Sequence, residues 1–194
     1  MSYCMGSLPI GSVITDGQGH ILACGRNRIH EAALKSNAFI SGHRLAHAEI
    51  NALLQIDWNA VDPRTCILYT TTEPCPLCVG AIRMALLSEV HYASRDSSAG
   101  SAILFEATSF LRKGNIQVIG PEHVNLEIIL VAILVEFALY YTNRNALSRY
   151  EELTAMDSDG ALLGQMLFVS GQLRHWKEEG KLASFVLNQL AEYI

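Results

Sequence analysis

The sequence predicts an α/β layered domain followed by a helical extension, and three observations carry that reading. Up to about residue 122, short runs rich in β-branched residues alternate with segments whose apolar residues recur at helical spacing. Beyond that point the patterning is helical almost throughout. With 194 residues, half of them apolar and 17% charged, the chain can bury one core and carry an extension, and is too apolar to stay disordered. The expected division is residues 1–122 for the α/β core and 123–194 for helices that pack on the core or on a partner subunit.

Pro9 to Thr15 reads as a first strand, Asp16-Gly17-Gln18-Gly19 as a turn, and His20 to Asn27 as a second strand closing a hairpin. Arg28 to Arg44 is a long connection of mixed character. His47 to Ile56 has the apolar spacing of a helix, Thr65 to Thr71 reads as a third strand, and Pro76 to Leu87 as a helix with proline in its tolerant first turn. A fourth strand is expected over Glu89 to Ser94, a short helix over Leu104 to Leu111, and a fifth strand over Asn115 to Gly120. Helices are expected over Asn125–Tyr141, Ala146–Met156, Ala161–Trp176 and Lys181–Tyr193.

The formal net charge of -5 gives no global attraction to a polyanion, so a nucleic-acid partner is disfavoured unless a local basic groove supplies it. Five irregularly spaced cysteines do not form a disulfide framework, and a reducing cytoplasm is expected. The first ten residues lack the basic and apolar regions of a secretory leader. The apolar stretch Leu126 to Tyr141 is interrupted by Glu127 and Glu136, which marks a buried or interface helix and no membrane span. Nine acids and five bases in the extension read as solvated helix faces.

Two pieces of text carry chemistry: His47-Ala48-Glu49 and Glu73-Pro74-Cys75-Pro76-Leu77-Cys78. Cysteines three apart on the first turn of a helix share a face, and a helix N-terminus favours their thiolates. That is half of a zinc site. A catalytic zinc takes a third protein ligand and keeps one position open, and His47 at the start of another helix supplies the third. The soft Cys and His donors select Zn2+. Glu49, two residues on, reaches a metal-activated water without being a ligand and can move its proton to a leaving amine. The set suits hydrolytic release of ammonia from an amidine-like carbon of a heterocycle.

The H-x-E and P-C-x-x-C pattern resembles the cytidine deaminase-like superfamily, and within it the branch of guanine deaminases, fungal-type cytosine deaminase and tRNA adenosine deaminase. The likeness covers roughly residues 9 to 120, from Pro9-Ile10-Gly11 through Gly25-Arg26-Asn27 to Val79-Gly80-Ala81-Ile82. It implies a three-layer α/β/α fold with a five-stranded mixed sheet. It implies metal ligation by His47, Cys75 and Cys78, attack by a zinc-bound hydroxide with Glu49 as proton shuttle, and a homodimer. It also implies substrate contacts at Asn27, Ala48 and Pro74. Three departures stand out: only eight residues precede Pro9, where relatives carry a helix; the connection from Asn27 to His47 is long; and the helical tail is large. Without that helix one face of the sheet is expected to be exposed, unless the C-terminal helices cover it or the sequence is truncated at its start.

Each residue also has a plainer reading. Cys75 and Cys78 read alone are a structural zinc knot or core thiols, Glu49 a cap, and Asn27 a turn residue. Glu73 is expected to order the loop before the metal helix rather than to react. His43 and His91 are expected on the surface or in the core, and Cys24 and Cys66 as buried thiols in strands. Phe39 and Trp58 are candidates for stacking on a base, Phe39 the better because it lies in a possible lid. The function expected is deamination of a guanine- or cytosine-like base or nucleoside. The alternatives are a tRNA adenosine deaminase, for which Arg26, Arg28, Lys35 and Arg44 form the one basic cluster near the motif, and a non-catalytic scaffold with structural zinc.

Overall fold

A computed structural model describes residues 2–34, 36, 38–141 and 144–194. The chain forms two compact units, Ser2–Glu122 and His123–Ile194. In the first, the strands are β1 (Gly11–Thr15), β2 (Ile21–Arg26), β3 (Ile67–Thr70), β4 (Glu89–Tyr92) and β5 (Gln117–Ile119), and the helices are α1 (Ala48–Leu53), α2 (Pro76–Met84) and α3 (Ser109–Arg112). The sheet is mixed, in the order β2-β1-β3-β4-β5. β1 runs antiparallel to β2 and β3, whereas β3, β4 and β5 are parallel. The α/β class, the five-stranded mixed sheet and the C-terminal helices are as expected.

The hairpin closes because Asp16 Oδ1 accepts from the backbone N–H of Gln18 (2.8 Å) and His20 (2.9 Å), while Gly19 takes the left-handed φ of 86°. Strand alternation then puts Ile14, Ala23, Leu68 and Val90 on one face of the sheet. Ala52 and Leu53 of α1 and Val79 and Ile82 of α2 complete that core. Both helices that begin with candidate metal ligands therefore rest on this face, and their first turns meet over the end of β3.

The second unit comprises α4 (Val124–Tyr140), α5 (Arg144–Met156), α6 (Ser158–Ser170), α7 (Gln172–Glu178) and α8 (Ala183–Ala191). α4 is apolar around its circumference and is buried along most of its length. α6 packs closely on it because Gly160 and Gly164 leave room for Val131 and Val135; a Cβ at residue 164 would stand 2.6 Å from the Val135 side chain. Asp157 caps α6 by accepting from Gly160 N–H at 2.9 Å. The buried Glu136 carboxylate faces Arg174 Nε at 3.7 Å. Among the described residues, no helix is long and apolar enough to cross a membrane.

Three local expectations change. The helix read over Ala161–Trp176 is two helices, α6 and α7, divided at Gly171, which adopts φ 67° as a left-handed C-cap. The short helix at Leu104–Leu111 is a 3-10 turn, Ala102–Glu106, followed by α3, which Thr108 caps through Leu111 N–H. Cys24 is exposed and not a core thiol, because it lies on the outer face of the edge strand β2.

Gly25 of β2 touches α1 so closely that a Cβ there would lie 2.0 Å from the Ala48 carbonyl oxygen and 2.4 Å from the Ala52 nitrogen. Both are backbone atoms and cannot step aside. Gly25→Ala is expected to cost about 3 kcal/mol in denaturant unfolding. Gly80→Ala on α2, where nothing lies within 4 Å of the added Cβ, is expected to gain about 0.5–1 kcal/mol in the same measurement.

Candidate metal and catalytic site

Cys75 is the N-cap residue of α2, with extended backbone (φ -75°, ψ 172°), and Pro76 opens the helix behind it. Cys78 follows one turn later, so the sulfurs stand 3.6 Å apart. His47 is the N-cap residue of α1, also extended (φ -73°, ψ 158°). Neither side chain caps its own helix. Positions that serine or aspartate would fill for helix stability hold metal-ligand types instead, and they point at one another. His47 Nδ1 lies 3.5 Å from the sulfur of Cys75 and 3.5 Å from that of Cys78.

These separations can be tested against a tetrahedral zinc ion. Bonds of about 2.3 Å to sulfur and about 2.0–2.1 Å to nitrogen give edges of about 3.5–3.8 Å. The triangle of donor atoms matches, so His47, Cys75 and Cys78 are positioned to bind a metal, with the fourth corner left for a small ligand. The His47 ring is also bonded to the backbone of Arg44, which sets its orientation from behind.

The protons are arranged accordingly. A hydrogen bond from Cys78, reinforced by His47, drops the Cys75 thiol to about 4. Its bond to that thiolate, together with burial, pushes Cys78 up, so the deeper sulfur keeps the proton. The Cys75 thiolate in turn raises His47. A divalent cation held by His47, Cys75 and Cys78 would replace the positive charge of those protons and favour both thiolates.

Glu49 sits in the first turn of α1 and is only 4% exposed. Burial raises its carboxyl above the usual range. Its own backbone N–H and the Cys78 thiol bond to the carboxylate and oppose that rise, and Thr70 Oγ1 at the end of β3 donates to Oε1 at 3.5 Å. Asn27 is 1% exposed; its backbone N–H donates to the Ile10 carbonyl, and its Oδ1 accepts from Ile29 N–H at 3.1 Å. The committed Oδ1 leaves the Nδ2 amino group as the end able to donate to a ligand. Ala48 opens α1, where its N–H has no partner in the helical ladder. Pro74 is buried, and its carbonyl accepts from Ser101 N–H at 3.0 Å.

Glu73 accepts from Ala102 N–H at 2.9 Å and from Asp96 N–H at 3.5 Å, tying the 96–102 loop to the start of the metal helix. His43 accepts from Leu45 N–H, and His91 stacks on Tyr69 with its rings 4.8 Å apart and faces Glu89 and Glu122. Neither joins the ligand cluster. Phe39 carries the Arg28 guanidinium 3.9 Å over its ring, so one face is taken, and Trp58 packs on the hydrophobic core rather than toward a ligand. Arg26 and Arg28 both pair with Glu31, and Lys35 lies outside the described residues. Sequence reasoning missed Thr70, the Arg44 contact behind His47, and Asn51. The available signal for Asn51 was an amide one helical turn after His47, on a helix searched only for apolar spacing.

The cytidine and deoxycytidylate deaminase zinc-binding region matches residues 1–94. A guanine deaminase of Bacillus subtilis is 38% identical over 96 residues, 48% of this chain and 55% of that protein. A tRNA-specific adenosine deaminase 2 of Xenopus laevis is 30% identical over 103 residues, 49% of this chain and 53% of that protein. The chain thus spans about half the length of these two relatives. A solved structure from work on A-to-I editing by tRNA:A34 deaminases is similar over 61% of this chain and 88% of that chain, with a TM-score of 0.50 and 25% identity.

Purified protein is expected to hold about one zinc per chain by elemental analysis, and Cys78→Ser to lose most of it. Binding removes protons from the ligands, so affinity for zinc should fall as pH is lowered, read by competition with a chelating indicator at pH 8 and pH 6.

Proposed function

We propose, from the likeness of residues 1–94 to the cytidine and deoxycytidylate deaminase zinc-binding region, that the chain hydrolyses the exocyclic amine of a nucleobase or nucleoside, guanine-like or cytosine-like, to ammonia. The observation that carries the reading is Glu49. A carboxylate this buried costs free energy, and its partners are its own backbone N–H, the Cys78 thiol of the ligand cluster and a long contact to Thr70, with no cationic side chain of Lys or Arg among them. A structural metal site has no use for it. A site that must move protons does.

In this reading His47, Cys75 and Cys78 hold zinc, which when bound supplies a water acidified to a pKa of about 7. Glu49 accepts the proton of the attacking water and delivers it to the ring nitrogen beside the reacting carbon, then carries the proton needed by the departing amine. Water supplies the oxygen of the new carbonyl, and nitrogen leaves as ammonia. Asn27 Nδ2 and Ala48 N–H both donate, so they suit a base that presents acceptors, a ring nitrogen or a carbonyl. Pro74 walls the pocket beside the metal helix. Residues 1–122 carry the chemistry, and the extension serves packing on the core or on the partner of a homodimer in the cytoplasm.

A small substrate is favoured over tRNA because two of the four residues of the candidate basic cluster, Arg26 and Arg28, are held by Glu31. The likeness to the tRNA deaminase structure keeps the second reading in the test. Zinc-loaded protein is offered guanine, cytosine, adenine, their nucleosides and monophosphates, aminated pterins and triazines, and tRNA, and ammonia or inosine is measured. Turnover of a small base or nucleoside is expected, falling by about 10³-fold in Glu49→Gln with zinc retained. Zinc-loaded protein that releases no ammonia from any small compound defeats the proposal, and inosine formed in tRNA alone replaces it with the second reading.

A further inference from the structure

The connection from Asn27 to His47 is long, yet it is built as a wall. Arg28 N–H donates to the Ala46 carbonyl at 2.9 Å and Gly42 N–H to the Arg28 carbonyl at 3.0 Å, which closes the segment on itself. Ser41 Oγ donates to the Ala32 carbonyl at 2.9 Å and accepts from Leu34 N–H at 3.0 Å. The buried Ser7 hydroxyl accepts from His30 N–H at 3.1 Å. Gly42 turns the chain at φ 63°, where a Cβ would stand 2.5 Å from the Ala33 nitrogen.

One side chain joins this segment to the sheet and to the helix of the site. Asn51 of α1 is 1% exposed and uses both ends of its amide. Its Oδ1 accepts from Ile40 N–H at 2.7 Å, and its Nδ2 donates to the Ile40 carbonyl at 3.0 Å and to the Arg26 carbonyl at 3.1 Å. Arg26 immediately precedes Asn27. Ile40 lies four residues before Arg44, whose backbone meets the His47 ring. Asn51 thus grips the segment at its entrance and near its exit, from the same six-residue helix that carries Glu49.

We propose that Asn51 is a positioning residue: by clamping Arg26 and Ile40 to α1 it sets both the His47 ring, through Arg44, and the Asn27 amide. The metal half of this inference stands on the ligand geometry, and the substrate half rests on the deaminase reading above. No other uncharged side chain of similar size offers one acceptor and two donors in this plane. Aspartate has the shape but turns an acceptor toward two carbonyls, so Asn51→Asp tests hydrogen bonding apart from volume.

Asn51→Ala and Asn51→Asp are compared with the unaltered full chain in three measurements. Amide hydrogen exchange of residues 38–46 is expected to speed up in both variants. Zinc affinity by chelator competition is expected to fall about tenfold, as for other groups that orient a ligand from behind. For whichever panel compound the unaltered protein deaminates, KM is expected to rise about tenfold with kcat changed less than about threefold, as when a recognition contact is loosened and the proton carrier is spared. Gln55→Ala, which removes the nearby bond to the Cys24 carbonyl, is expected to leave zinc affinity and KM unchanged. Faster exchange with zinc affinity unchanged would reduce Asn51 to a structural role and overturn the proposal, as would an unmoved exchange pattern. If the unaltered protein deaminates nothing in the panel, the deaminase reading fails while the exchange and chelator measurements still decide the clamp.

Discussion

Helix α1 lies directly on strand β2 because residue 25 has no side chain. The Ala48 carbonyl and the Ala52 nitrogen occupy the space a Cβ would need. With that contact made, the height of α1 above the sheet is fixed, and so is everything the helix carries: His47 at its cap, Glu49 in its first turn and Asn51 one turn on. A helix of six residues has little stability of its own. Its geometry is borrowed from the sheet below and from the loop that Asn51 holds against it.

The charge arrangement follows from this rigidity. Two sulfurs, an imidazole and a carboxylate are gathered together: Cys75 and His47 favour each other's charged forms, while burial and the neighbouring negative groups oppose ionisation of Glu49 and Cys78. Such a cluster is costly unless a cation completes it. The donor triangle has the edge lengths of a tetrahedral zinc site before any ion is considered. The backbone has therefore met the cost of bringing the ligands together in advance, which is how a metal site gains both affinity and a defined open corner.

Much of this was legible because it depends on short-range pattern. The period-two strands, the turn at Asp16 to Gly19, and the cysteines three apart at a helix start all follow from spacing. What escaped depends on distant partners. Gly171 sits inside an apolar run that reads as one helix, and only the direction the chain must take afterwards makes it a left-handed stop. Cys24 has the pattern of a buried strand residue, but β2 is the edge strand and its outer face is open. Asn51 serves backbone atoms 11 and 25 residues away, a pairing that no local window contains. The long connection reads as a lid because its hydrogen bonds run between serines, glycines and backbone whose partners the sequence does not announce.

The place where that connection leaves the sheet has a wider consequence. β2 is a boundary strand, hydrogen-bonded on one side only, so a segment spliced in after it disturbs no neighbouring register. The inserted chain needs just two footholds to be re-anchored, one beside Arg26 and one near the start of α1. The apparatus that handles protons and metal sits on the core helices, and the overlying segment is tied to it at Arg26 and Ile40, so a change of length between those two points is carried by the segment, whereas a change at either point reaches the metal ligand. Length is thus tolerated between the two anchors and not at them.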